Sequence, residues 1–165
     1  MHNAFVALGS NLPGNLGSPA SQILRAFHAI EKIPETRLVK RSSLYQSTPV
    51  GYDNQPDFTN AVAQVQTELS AIALLDALLE IEQQVGRERP FPNAPRVLDL
   101  DLLLYDDIEI QVEKLTLPHP RMCKRSFVLL PLAEIAPDLH IAKQGSIVEL
   151  LKKLDVSGIK LYEYI

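Results

Sequence analysis

The sequence has no tryptophan and only one cysteine, Cys123, among its 165 residues. A single cysteine excludes an internal disulfide framework and a cysteine-based zinc cluster. No apolar run is long enough to span a bilayer, and the chain has no pattern typical of a secretory signal peptide. We therefore expect a cytoplasmic protein without membrane association.

Basic residues are fewer than acidic residues. Lysine and arginine total 16 against 20 acidic residues, a formal net charge of -4, which argues against a general nucleic-acid binder. Glycine-rich nucleotide motifs are missing as well: Gly9 and Gly14 have P-loop spacing, but Asn15 and Leu16 stand where Lys and Ser or Thr are needed. Any phosphate site must therefore be local and use arginines and metal ions.

The order of predicted elements gives the fold class. The hydrophobic content of 46% and the length favour a single domain over residues 1–165. Strand patterns lie near residues 4–8, 36–45, 58–65 and 96–105, and helices follow Ser18 and Ser70, so that the second and third strands are adjacent in the chain. This order predicts an α+β ferredoxin-like sandwich, an antiparallel β-α-β-β-α-β sheet with helices on one face, plus C-terminal helical and strand appendages. A doubly wound α/β fold is the weaker alternative.

Two acids interrupt the most apolar stretch of the chain. Side chains alternate between the faces of a strand, so Asp99 and Asp101 project the same way, about 7 Å apart at Cα. Leu98, Leu100 and Leu102 line the opposite face.

Carboxylates that share a face need nearby cations, because desolvation and mutual repulsion oppose their ionisation. Arg87, Arg89 and Arg96 are the local candidates, and Mg²⁺ is the external one. A lone D-x-D is most often an arginine-paired structural site, and it also occurs in metal-dependent glycosyltransferases and nucleases. The motif alone leaves these readings open.

Several loop residues are candidates for function. The loops at 46–57 and 87–95 are long or proline-rich, and such loops are disproportionately functional. His119 lies between two prolines and precedes basic residues, so a basic lobe could face the acids, although an ordinary loop histidine fits equally. The basic neighbours of Cys123 predict a lowered thiol pKa, but no partner base is evident and we expect a bystander.

Five segments, in this order along the chain, together resemble the 6-hydroxymethyl-7,8-dihydropterin pyrophosphokinase (2-amino-4-hydroxy-6-hydroxymethyldihydropteridine diphosphokinase) family. They are residues 7–12 (A-L-G-S-N-L), 56–61 (P-D-F-T-N-A), 81–87 (I-E followed by G-R), 95–101 (P-R-V-L-D-L-D) and 117–127 (L-P-H-P-R-M through R-S-F). The resemblance covers nearly the whole chain. The acid stretch combined with the downstream P-H-P-R-M is highly specific, whereas any single segment would be weak.

The resemblance implies an enzyme that transfers the diphosphoryl group of ATP to the hydroxymethyl oxygen of 6-hydroxymethyl-7,8-dihydropterin, releasing AMP, in folate biosynthesis. It implies two Mg²⁺ ions, with ATP and the pterin as small-molecule substrates. We expect a monomer without a nucleic-acid or membrane partner, and the sequence leaves open whether it associates with neighbouring folate enzymes. Asp99 and Asp101 would hold the metal ions, and Arg87 and Arg96 would act on the phosphates. The implied pterin-binding residues are Ser47, Thr48, Val50, Phe58, Asn60 and Phe127. The implied nucleotide-binding residues are Glu82, Arg89, Leu102, Lys114, Thr116, His119 and Arg125.

The chain departs from the family pattern at three places. The second loop reads Asn93-Ala94-Pro95-Arg96, where the family often has a tryptophan before Gly-Pro-Arg. Phe58 stands where tyrosine is frequent, and Lys114 stands where arginine can occur. Two other functions remain as alternatives: a D-x-D nucleotide-sugar transferase, and a non-catalytic ferredoxin-like binding module.

Overall fold

The computed structural model describes residues 1–11, 18–47, 58–85 and 98–162. The first elements in chain order are β1 (His2–Ser10), α1 (Pro19–Glu31), β2 (Thr36–Arg41), β3 (Tyr45–Ser47), β4 (Phe58–Thr67), α2 (Ala71–Val85) and β5 (Asp99–Tyr105). After these come β6 (Ile110–Val112), β7 (Leu115–Leu117), a 3₁₀ helix (Met122–Lys124), α3 (Ser126–Ile135), β8 (His140–Ile141), β9 (Gly145–Ser146), α4 (Ile147–Lys152) and β10 (Ile159–Leu161). The predicted mixture of helices with an antiparallel sheet is confirmed.

The main sheet has the strand order β10-β3-β4-β1-β5, and β2 also pairs with β4. All of these pairings are antiparallel. The long strand β4 pairs with β3 at its start, where Phe58 lies opposite Ser47, and with β2 at its end, where Thr67 lies opposite Thr36. Strands β2 and β3 therefore lie along the same side of β4 and are separated by residues 42–44.

Both long helices begin where the sequence predicts. The Ser18 hydroxyl accepts a hydrogen bond from the Ser21 N–H at 3.3 Å, with Pro19 as the first helical residue of α1. The Ser70 hydroxyl accepts one from the Ala73 N–H of α2 at 3.1 Å. These caps satisfy N–H groups that have no partner inside the helix. None of the described helices is both long and apolar enough to cross a bilayer.

The alternation of side chains along β1 builds two separate cores. Ala4, Val6 and Leu8 pack with α1 and α2 on one face, where the fully buried side chains include Phe27, Ile30, Leu74 and Leu78. Phe5 and Ala7 point to the other face, where they pack with Val128, Leu129 and Leu132 of α3. The prediction that α1 and α2 share a face holds. The second face, expected to be left for a site, is in part covered, because α3 must bury its own apolar residues there.

Strand β5 places the acids as predicted. Leu98, Leu100 and Leu102 belong to the first core, and Asp99 and Asp101 lie on the opposite face. The pairing with β1 shifts by one residue, since Phe5 lies opposite Leu104 while Val6 lies opposite Leu102. This bulge makes both Leu103 and Leu104 part of the second core.

Candidate active site

A cavity of about 310 Å³ opens on the second face, beside the start of α3. Strands β1, β3, β4 and β5 form its floor. The described residues that line it are Ala7, Leu8, Gly9, Ser47, Phe58, Asn60, Asp99, Asp101, Arg125, Phe127 and Val128. It therefore brings together both predicted metal ligands and every described residue predicted to bind pterin.

The amide of Asn60 is held in one position at the base of this cavity. The Ser47 hydroxyl donates a hydrogen bond to Asn60 Oδ1 at 2.6 Å, and both side chains are buried. On the other side, Gly9 lies opposite Asn60 in the β1–β4 pairing, and a Cβ at Gly9 would come within 3.3 Å of Asn60 Nδ2. Because Ser47 engages the amide oxygen, the amide nitrogen is the atom that can donate to a ligand.

Aromatic and charged side chains form the cavity walls. Phe58 of β4 and Phe127 of α3 are both half-buried. The Arg125 guanidinium carbon lies 5.7 Å from the centre of the Phe127 ring, and its Nη1 lies 3.8 Å from Asp101 Oδ2. This ion pair is partly exposed and is worth about 1 kcal/mol at most. A phosphate or a metal ion can therefore replace either partner at small cost.

A second cleft of about 300 Å³ lies on the other side of Asp101. It contains most of the residues predicted to bind nucleotide: Glu82, Leu102, Lys114, Thr116 and His119. Arg125, predicted for the same ligand, lines the first cavity instead. Asp101 is part of the lining of both. Ligands in the two cavities would therefore meet at this carboxylate.

Glu82 has a structural contact that the sequence did not suggest. Its Oε2 accepts a hydrogen bond from the Leu100 N–H at 2.6 Å, which joins α2 to the outer edge of β5. Leu75 and Leu79 lie seven and three residues before Glu82, on the same stripe of the helix, and also line the second cleft. Neither leucine was among the residues predicted to bind nucleotide. Helical periodicity counted back from Glu82 could have identified them.

His119 is fixed through its backbone and its ring. Its N–H donates to the Leu103 carbonyl oxygen at 2.9 Å, and its Nδ1 accepts from the Arg121 N–H at 3.1 Å. Burial lowers the pKa of His119 from 6.5, Asp101 opposes this shift, and Arg125 and Arg121 add to it. The ring is therefore neutral near pH 7 with its proton on Nε2, a hydrogen-bond donor for the cleft.

Two other predictions change once the fold is known. Burial raises the pKa of the Cys123 thiol, so the predicted lowering by basic neighbours is wrong, and a bystander role fits this shift. Lys114 forms an ion pair with Asp76 of α2, so its charge is already compensated at the edge of the cleft. Five of the predicted site residues lie outside the described residues: Thr48, Val50, Arg87, Arg89 and Arg96.

The two acids suit a divalent cation bound together with a phosphorylated ligand. In the described part of the chain, no group of three or more His, Cys, Asp or Glu side chains is close enough to hold a metal ion. Mg²⁺, however, is usually held by one or two carboxylates plus substrate phosphates. Asp99 and Asp101 line the same cavity and supply that set of donors.

The family model described as 7,8-dihydro-6-hydroxymethylpterin-pyrophosphokinase (HPPK) matches residues 5–137. The chain belongs to this family. The 2-amino-4-hydroxy-6-hydroxymethyldihydropteridine pyrophosphokinase of Haemophilus influenzae is 47% identical over 162 residues, which cover 98% of this chain and 99% of the relative. The protein of the same name from Pseudomonas aeruginosa is 44% identical over 160 residues, covering 97% of this chain and 96% of the relative.

Solved structures support the fold assignment. A crystal structure of Plasmodium falciparum HPPK-DHPS with pteroate superposes with a TM-score of 0.70 and 15% identity, covering 92% of this chain and 42% of that one. At this identity the likeness shows the fold alone. It agrees with the HPPK family assignment that the sequence relatives establish.

Proposed function

We propose that this chain is a pyrophosphokinase that transfers the diphosphoryl group of ATP to the hydroxymethyl oxygen of 6-hydroxymethyl-7,8-dihydropterin, releasing AMP, in folate biosynthesis. Membership of the HPPK family and the names of the relatives support the enzyme class and the pterin substrate. The release of AMP and the residue roles below go further than those names.

One observation carries the assignment to this site. Asp101 lines both the cavity with the predicted pterin residues and the cleft with most of the predicted nucleotide residues. A transfer reaction needs its donor and acceptor side by side, with charge compensation where they meet. A carboxylate that can hold a cation at this meeting point satisfies both needs.

Asp99 and Asp101 are the proposed ligands of Mg²⁺, with two ions in the complete complex. When bound there, the metal supplies neutralisation of phosphate charge and Lewis-acid activation. Arg125 holds a positive charge beside Asp101 before substrates arrive, and its guanidinium fork can then bind phosphate oxygens. Arg87 and Arg96, which lie outside the described residues, are proposed from the sequence to neutralise the transferring group.

The first cavity is the proposed pterin site. Phe58 and Phe127 offer aromatic faces against which a flat heteroaromatic ring can stack, and Asn60 offers an oriented donor to the ring edge. Thr48 and Val50 are proposed to complete the site from the adjoining loop. Because Ser47 and Gly9 confine the amide, this donor is in place before the ligand binds.

The second cleft is the proposed nucleotide site. Leu75, Leu79 and Leu102 provide apolar surface for the base, and His119 provides an Nε2–H donor to phosphate. Thr116 and Lys114 lie at the exposed rim, where they can reach the sugar. Glu82 lines the cleft and at the same time holds β5 in place, and Arg89 is proposed from the sequence alone.

The remaining proposals concern the architecture. The pairing order β5-β1-β4-β2 with antiparallel neighbours supports a ferredoxin-like sheet. In this arrangement α3, α4 and β10 are C-terminal additions, and residues 1–165 form one domain. We propose a monomer that works on small molecules and has no nucleic-acid or membrane partner.

The decisive experiment is incubation of the protein with ATP, Mg²⁺ and 6-hydroxymethyl-7,8-dihydropterin, with nucleotides separated by chromatography. Pterin-dependent formation of AMP in a one-to-one ratio with pterin diphosphate supports the proposal. Formation of ADP, or no turnover with the reduced pterin, refutes it. An incubation without pterin controls for ATP hydrolysis.

A further inference from the structure

Glu134, near the end of α3, binds Ser43 and Tyr45, which lie between β2 and the start of β3. These contacts are called the Glu134 clamp. Glu134 Oε1 accepts hydrogen bonds from the Tyr45 hydroxyl at 2.6 Å and the Ser43 N–H at 3.0 Å. Its Oε2 accepts from the Ser43 N–H at 3.1 Å and the Ser43 hydroxyl at 2.9 Å. Both carboxylate oxygens are therefore used to hold one short segment of the sheet edge.

That segment leads directly into the floor of the first cavity. Tyr45 lies opposite Asn60 in the β3–β4 pairing, and Ser47 lies opposite Phe58. Residues two apart on a strand share a face, so Tyr45 points to the same side of the sheet as Ser47. Burial first, and then the hydrogen bond and charge of Glu134, raise the pKa of Tyr45. Its hydroxyl therefore remains a donor throughout the physiological pH range.

The other end of α3 carries a wall of the same cavity. Phe127 precedes Glu134 by seven residues, two helical turns and about 10.5 Å along the axis, so both lie on one stripe of the helix. Between them stands Pro131, which has no N–H and cannot donate to the Phe127 carbonyl in the usual helical pattern. The first turn of α3 thus lacks one internal bond, and its distance from the sheet depends on how the rest of the helix is anchored.

We propose that Glu134 is a positioning residue for the pterin site. By anchoring α3 to Ser43 and Tyr45, its carboxylate sets the spacing between Phe127 on the helix and the Phe58–Asn60 side on the sheet. This inference rests on the proposed function of the first cavity. Glu134 does not line that cavity and acts only through the elements that it joins.

A role in stability alone would predict a different pattern of effects. Glu134 is an exposed residue, but its hydrogen bond with the Tyr45 hydroxyl is part-buried, so a purely structural role predicts a lower Tm with no preference between the two ligands. A spacing role instead predicts that loss of the clamp weakens binding of the ligand held between helix and sheet. Binding of ATP should change much less, because α3 does not line the second cleft, and Arg125 at the start of α3 is only one of the proposed phosphate contacts.

The test compares Glu134→Gln with Tyr45→Phe and with a matched control, Glu149→Gln. Glutamine keeps the size of Glu134 but replaces one of its two accepting oxygens with a donor. Glu149 lies on α4, and its carboxylate contacts the Lys152 ammonium at 3.3 Å, so the control removes the same charge at a residue that neither lines the cavity nor contacts Ser43 or Tyr45 in the hydrogen bonds above. For each protein, calorimetric titration gives the dissociation constants of hydroxymethyldihydropterin and of a non-reactive ATP analogue, and thermal unfolding gives the Tm.

We expect Glu134→Gln to raise the pterin dissociation constant about five- to tenfold, and to change that of the ATP analogue by less than about twofold. Tyr45→Phe should act in the same direction. The double variant should be little worse than Glu134→Gln, because both changes remove one shared interaction. The control should bind both ligands like the wild type.

Three results would overturn the positioning role: unchanged pterin affinity in both variants, equal losses for both ligands, or additive effects in the double variant. The wild-type protein separates this proposal from the function on which it rests. If the wild type forms AMP and binds pterin while the variants bind it equally well, only the positioning role fails. If the wild type binds no pterin, both proposals fail.

Discussion

Gly9→Ala should weaken pterin binding without loosening the fold. Gly9 lies in the middle of the sheet, opposite Asn60 on one side and Asp99 on the other. A Cβ there would lie 3.3 Å from Asn60 Nδ2, closer than ordinary van der Waals contact. The amide cannot simply retreat, because Ser47 holds its oxygen at 2.6 Å in a buried position. It must shift by a few tenths of an ångström.

The expected size follows from what this shift disturbs. A buried hydrogen-bonding group that cannot meet its partner costs about 1 to 3 kcal/mol. A partial misalignment at the lower end of that range corresponds to a pterin dissociation constant raised about tenfold. Stability should change little, because the gain of about 0.4 to 1 kcal/mol from replacing glycine by alanine is offset by the strain on the displaced amide.

Calorimetric titration with hydroxymethyldihydropterin and with an ATP analogue, alongside urea unfolding, measures all three quantities. Gly158→Ala is the matched control, since nothing lies within 4 Å of a Cβ at Gly158. The control should bind pterin like the wild type. A Gly9→Ala protein with unchanged pterin affinity would refute the idea that this glycine confines Asn60, and equal losses for both ligands would indicate general damage.

Other perturbations test the carboxylates and His119. Asp99→Asn and Asp101→Asn should each abolish most turnover, yet lower the metal-free free energy of unfolding by no more than about 1 kcal/mol; near-normal turnover at low Mg²⁺ would contradict the metal assignment. Glu82→Ala should lower the free energy of urea unfolding by about 1 to 2 kcal/mol because the Leu100 N–H loses its acceptor, and Glu82→Gln should restore most of that loss. The pKa of His119 is lowered from 6.5, so the unfolded chain binds this proton more readily, and stability should fall as pH drops below about 6.5 until the folded pKa is reached. His119→Asn should show a smaller decline as the pH falls below about 6.5, and an equal decline would assign it to other groups.

The placement of the two acids could be predicted from the sequence because it depends only on local geometry. Side chains alternate along a strand, so Asp99 and Asp101 share a face regardless of what the strand packs against. Leu100 and Leu102 then face the core. Helix starts at Ser18 and Ser70 are local in the same sense. These features needed no knowledge of distant contacts.

Features that depend on register or burial could not be predicted in this way. The bulge at Leu103 lies inside a run of leucines, where no residue type marks the extra position. The second face receives α3 because of a match between apolar surfaces, which the helix pattern alone does not locate. The basic neighbours of Cys123 suggested a lowered thiol pKa, but burial dominates once the chain folds.

The site residues also divide into those that the sequence identifies and those whose role depends on the folded structure. The resemblance identified Asn60 and Phe127 as residue types suited to a pterin, and the cavity unites them. The residues that support them, Gly9 and Glu134, act through partners far away in the sequence. Only the pairing of strands and the docking of α3 bring these partners together.

The hydrogen bond between Glu82 and the Leu100 N–H also affects how this protein meets other molecules. An open sheet edge is a template on which another chain can add a strand, and such addition leads to aggregation. Here the carboxylate of Glu82 covers part of the outer edge of β5, and β10 covers that of β3. Strand β2 is exposed and rich in arginine and lysine, and its pairing with β4 is irregular after Leu38. A variant that loses Glu82 would therefore leave the Leu100 N–H of β5 open to a strand of another chain, and self-association would begin beside the proposed active site.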